Sequence, residues 1–186
     1  MLGGRGADAD SAGPFSYDTT TKVYPPLRTQ RDVDMLVQGL AEGVIDCIAT
    51  DHAPHETTSK QCTYHEAAFG ISVLETAFGS SMQLVHQDRL SLPELVHRLT
   101  VGPAGVLGHA FDNLASLGRG TPADVVLFDP DQEWLVDPQE FESQGKNTPL
   151  SGVTLKGEIA ATFVGGRLVY QNERSSLNTA FLGVEN

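Results

Sequence analysis

Apolar positions along the chain fall into two regimes, helical in the first two thirds and strand-like in the last. Val33, Leu36, Val37 and Leu40 recur at helical spacing behind a Thr29 and Asp32 pair placed as in a capping box. The spacing predicts an amphipathic helix over 30–42, stopped at Gly43. The run Val44 to Ala49 then reads as a short buried strand. Ile71, Leu74, Phe78, Met82 and Val85 predict a long helix. A second begins at Ser91, with Glu94 three residues on, and continues through Leu95, Val96 and Leu99. Pro103 to Leu107 gives a further short helix, closed near Gly108. Past Gly120 the period becomes that of strands, at 123–128 and 133–136, each ended by Asp-Pro. A hairpin is expected over 159–164 and 167–170, turning at Gly165-Gly166.

The connections carry their own signals. Residues 17–29 read as a turn-rich extended stretch, because Pro25-Pro26 interrupts both helix and central-strand hydrogen bonding. The loop 54–66 is longer than a usual α/β connection and is therefore functional or mobile. One parallel strand cannot make a sheet, since both its edges need partners. Either the first 28 residues hide another strand, or the chain is part of a larger α/β barrel whose other strands are encoded elsewhere; the second is favoured. The expected divisions are a poorly ordered start at 1–16, a barrel portion at 17–117, a β-rich segment at 118–170 and a tail at 171–186.

Charge and composition narrow the function classes. Twenty-four Asp and Glu against 12 Lys and Arg give a formal net charge of -12, with no basic patch, which argues against nucleic acid and anionic membrane as partners. No apolar run reaches membrane-spanning length and no leader pattern is present. Cys47 and Cys62 lack zinc-finger spacing, and a reduced, cytoplasmic setting is the simpler expectation.

Candidate chemistry is concentrated in Thr50-Asp51-His52-Ala53-Pro54-His55, where groups able to bind a metal, take a proton or hold an anion arrive together at a predicted strand end. The cluster alone is equally compatible with an ordinary loop that satisfies its own hydrogen bonds. In its setting, Gly43 to His55 resembles the signature of the bacterial dihydroorotases of the amidohydrolase superfamily. Lys22-Val23-Tyr24-Pro25-Pro26-Leu27-Arg28, Phe69-Gly70, Pro103 to Gly108, Gly120 to Pro130 and Asn147-Thr148-Pro149 agree in order and spacing.

That resemblance implies the carboxyl-terminal part of a metal-dependent (β/α)8 barrel, with part of a small β-sandwich domain. It implies a zinc centre of one or two ions that hydrolyses (S)-dihydroorotate to N-carbamoyl-L-aspartate, or runs the reverse in pyrimidine synthesis. By resemblance Asp51 is metal ligand and catalytic acid-base; His55, Phe69 and Gly70 contact substrate. Tyr24 stands at a position usually held by a substrate-binding Asn, and cannot reproduce that amide's paired donor and acceptor. The sequence contains no His-x-His, and His52, His65, His86, His97 and His109 do not match the family's upstream ligands. The metal centre is therefore expected to be incomplete and the isolated chain inactive. The alternatives are an allantoinase or hydantoinase-like cyclic amidohydrolase, and a non-catalytic partner of aspartate transcarbamoylase. A homo-oligomer, or a separate amino-terminal half, would complete the assembly.

Overall fold

The computed structural model describes residues 17–111 and 113–175. The fold is α/β, with a small open sheet flanked by helices, as in an incomplete barrel. In chain order it has α1 (Gln30–Ala41), α2 (Leu74–His86), α3 (Leu92–Leu99), α4 (Val101–Leu107), β1 (Val125–Leu135), β2 (Thr154–Val164) and β3 (Arg167–Gln171). The expected start at 1–16 and residues 176–186 of the tail lie outside the described residues.

Helices α1 and α3 start where the capping signals put them. In contrast, α2 begins at Leu74, after Ile71 has paired with His52 in an extended bridge, and α4 begins at Val101, two residues before Pro103. Thr29 accepts from the Asp32 amide while the Asp32 carboxylate accepts from Thr29, and Ser91 and Glu94 repeat the exchange at α3. Val33, Val37 and Leu40 of α1 bury against Leu84 and Leu90, with Ile45 and Ile48 packed alongside. A second cluster, Val136, Phe141 and Leu155, fills the β unit with Trp134, Leu150 and Val153 around it. The two halves meet where α2 packs on β2.

Two expectations about strands are corrected. Residues 44–49 form no strand ladder, and Val44 is 74% exposed. The segment is instead tied to α3, through the Ile48 amide on the Arg98 carbonyl at 3.0 Å. A strand needs a neighbour to accept its amides, and the described chain supplies one only further on, in an isolated parallel bridge between His52 and Ile71. The runs at 123–128 and 133–136 are one strand rather than two. Pro130 interrupts the β1–β2 register between Asp129 and Glu133. The Asp129 carboxylate receives the Asp131 and Gln132 amides at 2.9 and 3.1 Å, so the bulge closes without ending the strand. The hairpin of β2 and β3 forms as expected, giving an antiparallel sheet in the order β1-β2-β3.

Candidate active-site wall

Three extended segments lie side by side at the candidate site, with 69–72 in the middle. The Gly70 amide donates to the Lys22 carbonyl on one side, and on the other the Ala53 amide donates to the Ile71 carbonyl, both at 3.0 Å. The fold thereby brings Tyr24, His55, Phe69 and Gly70 together. Asp51 stands four residues upstream of His55, exposed, with its backbone in the left-handed region at φ 48°. For a non-glycine residue that conformation is uncommon, and Asp tolerates it better than most. It swings the chain from the 44–50 segment into the 52–55 turn.

The two histidines of the turn have different employment. His52 Nδ1 accepts from the Val73 and Leu74 amides at 3.0 and 3.2 Å, so the ring serves as the cap that α2 otherwise lacks. Its proton therefore sits on Nε2, 3.4 Å from Ser143 Oγ. The Ser143 amide in turn donates to Glu75 Oε1 at 2.8 Å. Burial raises the Glu75 pKa, but the hydrogen bonds from Ser143 outweigh it and hold the carboxyl below its ordinary value. His52 is thus a loop-orienting residue with both ring nitrogens occupied.

His55 Nε2 donates to the Phe69 carbonyl at 2.8 Å. This contact ties the 52–55 turn to the 69–72 segment and commits the neutral ring's only N–H. An anion could then receive a ring N–H through Nδ1 once the ring is an imidazolium, with both nitrogens protonated. Gly70 is the point of closest approach. A Cβ there would lie 2.6 Å from Ala53 Cβ and 3.0 Å from His55 Nε2, at φ 138°.

Phe69 and Tyr24, 54% and 77% exposed, meet edge to face at 6.0 Å between centroids and form an open aromatic rim. Beneath the rim lie two buried lysines that sequence reasoning passed over. Lys22 Nζ donates to the His65 and Ala67 carbonyls at 2.8 and 2.7 Å and sits 4.4 Å from the Phe69 ring centroid. Lys60 Nζ donates to the carbonyls of Thr19, Lys22 and Ala68. Burial, followed by the Lys22 charge, lowers the Lys60 pKa, with Asp18 pulling the other way. The loop 54–66 is therefore pinned from inside, its 3-10 turn Thr57–Ser59 leading directly into Lys60. Lys22 stands within the quoted KVYPPLR stretch, which could have flagged it; Lys60 has no sequence signal beyond a lone lysine in a polar loop.

Among the described residues, no group of three or more His, Cys, Asp or Glu side chains gathers to hold a metal ion. Asp51 is the one carboxylate of the turn, and these residues alone do not fit a zinc centre. Cys47 and Cys62 are free thiols.

This architecture, an α/β wall with a carboxylate on its exposed turn, places the protein in a class that comparison identifies. Residues 23–169 match the amidohydrolase family, and the chain belongs to it. It is 45% identical over 163 residues to a dihydroorotase of Thermoanaerobacter sp. (strain X514), covering 87% of this chain and 37% of that protein. A dihydroorotase of Anaeromyxobacter dehalogenans (strain 2CP-1 / ATCC BAA-258) is 44% identical over 166 residues, 89% of this chain and 38% of that one. The chain thus spans little more than a third of these relatives' length. Among solved structures, L-hydantoinase (dihydropyrimidinase) from Arthrobacter aurescens superposes with a TM-score of 0.75 at 30% identity, over 81% of this chain and 34% of that one. Dihydropyrimidinase from Brevibacillus agri NCHU1002 shares the fold, with a TM-score of 0.76 at 21% identity over 85% and 35%.

Proposed function

We propose that this chain is the carboxyl-terminal portion of a dihydroorotase-type enzyme, which hydrolyses (S)-dihydroorotate to N-carbamoyl-L-aspartate, and runs the reverse in pyrimidine biosynthesis, when an amino-terminal half completes it. The observation that carries the reading is the convergence of His55, Phe69 and Gly70 beside the Asp51 turn, in a chain 45% identical to a dihydroorotase.

In this reading Asp51 is the base. It takes a proton from the attacking water as the water oxygen bonds to the ring carbonyl, and returns it to the nitrogen as the C–N bond breaks. Protonated on both nitrogens, His55 would hold the substrate carboxylate through Nδ1, and the Gly70 carbonyl, whose amide is committed to Lys22, would accept from the ring edge, with Phe69 covering the ring. Asp51 also offers one carboxylate to a zinc centre whose other ligands come from outside this chain. Residues 17–117 are assigned to the barrel, 118–170 to the β-rich composite segment and 171–186 to a tail, in a cytoplasmic protein.

A second reading, a hydantoinase- or allantoinase-like cyclic amidohydrolase, is favoured by Tyr24. Its exposed phenol against Phe69 occupies the rim where an amide would read a pyrimidine edge. A third, a non-catalytic partner of aspartate transcarbamoylase, draws on the lack of a gathered metal-ligand group among the described residues.

The deciding experiment assembles the chain with a polypeptide supplying the missing barrel strands, adds zinc, and compares turnover of dihydroorotate, hydantoin and allantoin. Dihydroorotate should be preferred, Asp51→Asn should remove turnover, and the isolated chain should show none. A preference for hydantoin or allantoin supports the second reading; no turnover in a well-assembled complex supports the third.

A further inference from the structure

The linker between β1 and β2 runs directly beneath the site turn, and one side chain in it touches both site loops. Asn147, 6% exposed, accepts the His55 amide on Oδ1 at 2.6 Å. Its Nδ2 donates to the Gly70 carbonyl at 3.1 Å and to Ala53 O at 3.4 Å. Its own backbone carbonyl receives the Ser72 amide at 2.9 Å. A single amide group, donor on one edge and acceptor on the other, thus bridges the 53–55 turn and the 70–72 segment. The backbone around it allows no slack. A Cβ on Gly145 would sit 2.5 Å from Pro54 Cβ and 2.6 Å from the His55 nitrogen, so the linker packs against the turn with no room for a side chain there.

We propose that Asn147 is the positioning residue of the site: it sets the spacing between the His55 ring and the Phe69-Gly70 backbone. The His55 ring bond to Phe69 O spans the same two loops that Asn147 joins, so its length depends on the Asn147 bridge. The β unit thereby acts on the site through this residue. Oppositely directed donor and acceptor are required, which no carboxylate or aliphatic side chain supplies.

The proposal rests on assigning His55 and Gly70 to substrate, but its test reads the chain itself without turnover. Failure to hydrolyse dihydroorotate would overturn that assignment and leave this result standing. The experiment is proton–nitrogen NMR of the full chain and of two variants. Asn147→Ala should shift the His55 amide upfield, lower its exchange protection about tenfold, and turn the His55 ring from a single Nε2–H tautomer into a mixture. Asn147→Asp keeps the acceptor for the His55 amide and sets an oxygen against the Gly70 and Ala53 carbonyls. It should leave the amide in place while disturbing the ring. The His52 ring, held by Val73 and Leu74, should be unchanged in both. Unchanged His55 ring signals in the two variants would overturn the proposal, as would His52 and His55 losing their signals together, the mark of a general packing role. Should Asn147→Ala fail to fold, Asn147→Asp decides by the same His55 and His52 criteria.

Discussion

At the scale of single residues, the site wall depends on contacts with no room for substitution. Gly70→Ala would drive a Cβ to 2.8 Å from the Ala53 carbonyl in a backbone region that L side chains avoid. Overpacking of this kind costs about 1–3 kcal/mol, with the positive φ adding to it. Urea unfolding of Gly70→Ala should show that loss, together with a disturbed His55 tautomer; a midpoint equal to wild type would mean the two loops are not locked together there. The motif residues Asp51, His55, Phe69 and Gly70 stood out as candidates because they form short linear patterns, and the fold brings His55, Phe69 and Gly70 together. Asn147 was visible as a motif member, but its employment was not, since its side-chain partners lie 92, 77 and 94 positions away. Only folding brings them together. Lys60 was hidden for a different reason. A lysine in a polar stretch reads as solvated, whereas here five backbone carbonyls between Lys60 and Lys22 take the place of water. Sequence pattern does not register backbone acceptors.

Whole elements were read best where a local device specifies them. Capping boxes at Thr29 and Ser91 fixed the starts of α1 and α3, and Gly165-Gly166 fixed the β2–β3 hairpin. The 44–49 segment was misread because its apolar pattern speaks of burial, while a strand also needs ladder partners from another element. The capping carboxylates carry a pH dependence. Hydrogen bonds from the Thr29 hydroxyl and amide lower the Asp32 pKa, and those from Ser91 lower that of Glu94. A depressed carboxylate pKa adds stability above the unfolded value, and this is lost as pH falls through the folded value. Far-UV circular dichroism should therefore show helix weakening below the ordinary values of 3.8 and 4.5, with Glu75 contributing in the same direction. A Thr29→Val, Ser91→Ala double variant should be less helical near neutrality and show a shallower acid limb. An acid limb identical to wild type would mean that these caps do not hold the helices.

For the whole molecule, the decisive feature is an open architecture. The described sheet has three strands with β1 and β3 at its edges, and the site turn contributes one isolated bridge, where a barrel would close a ring of parallel strands. Large apolar side chains also stand in solvent, Val44 at 74% exposure and Leu36, Leu74 and Val106 above half. Together these observations predict association. The hydrophobic term grows with apolar area removed from water, and an unpaired edge offers a row of amides and carbonyls to any neighbour. The net charge of -12 opposes close approach of identical copies, and salt screens that repulsion without weakening apolar contact. Self-association of the isolated chain should therefore strengthen with ionic strength. Sedimentation velocity at low and high salt is the direct measurement: larger species should grow as salt is added, and the polypeptide that completes the barrel should dissolve them into one defined complex. A monodisperse monomer at every salt concentration, unfolding cooperatively, would mean that the exposed apolar positions are ordinary surface and that the unit is self-sufficient.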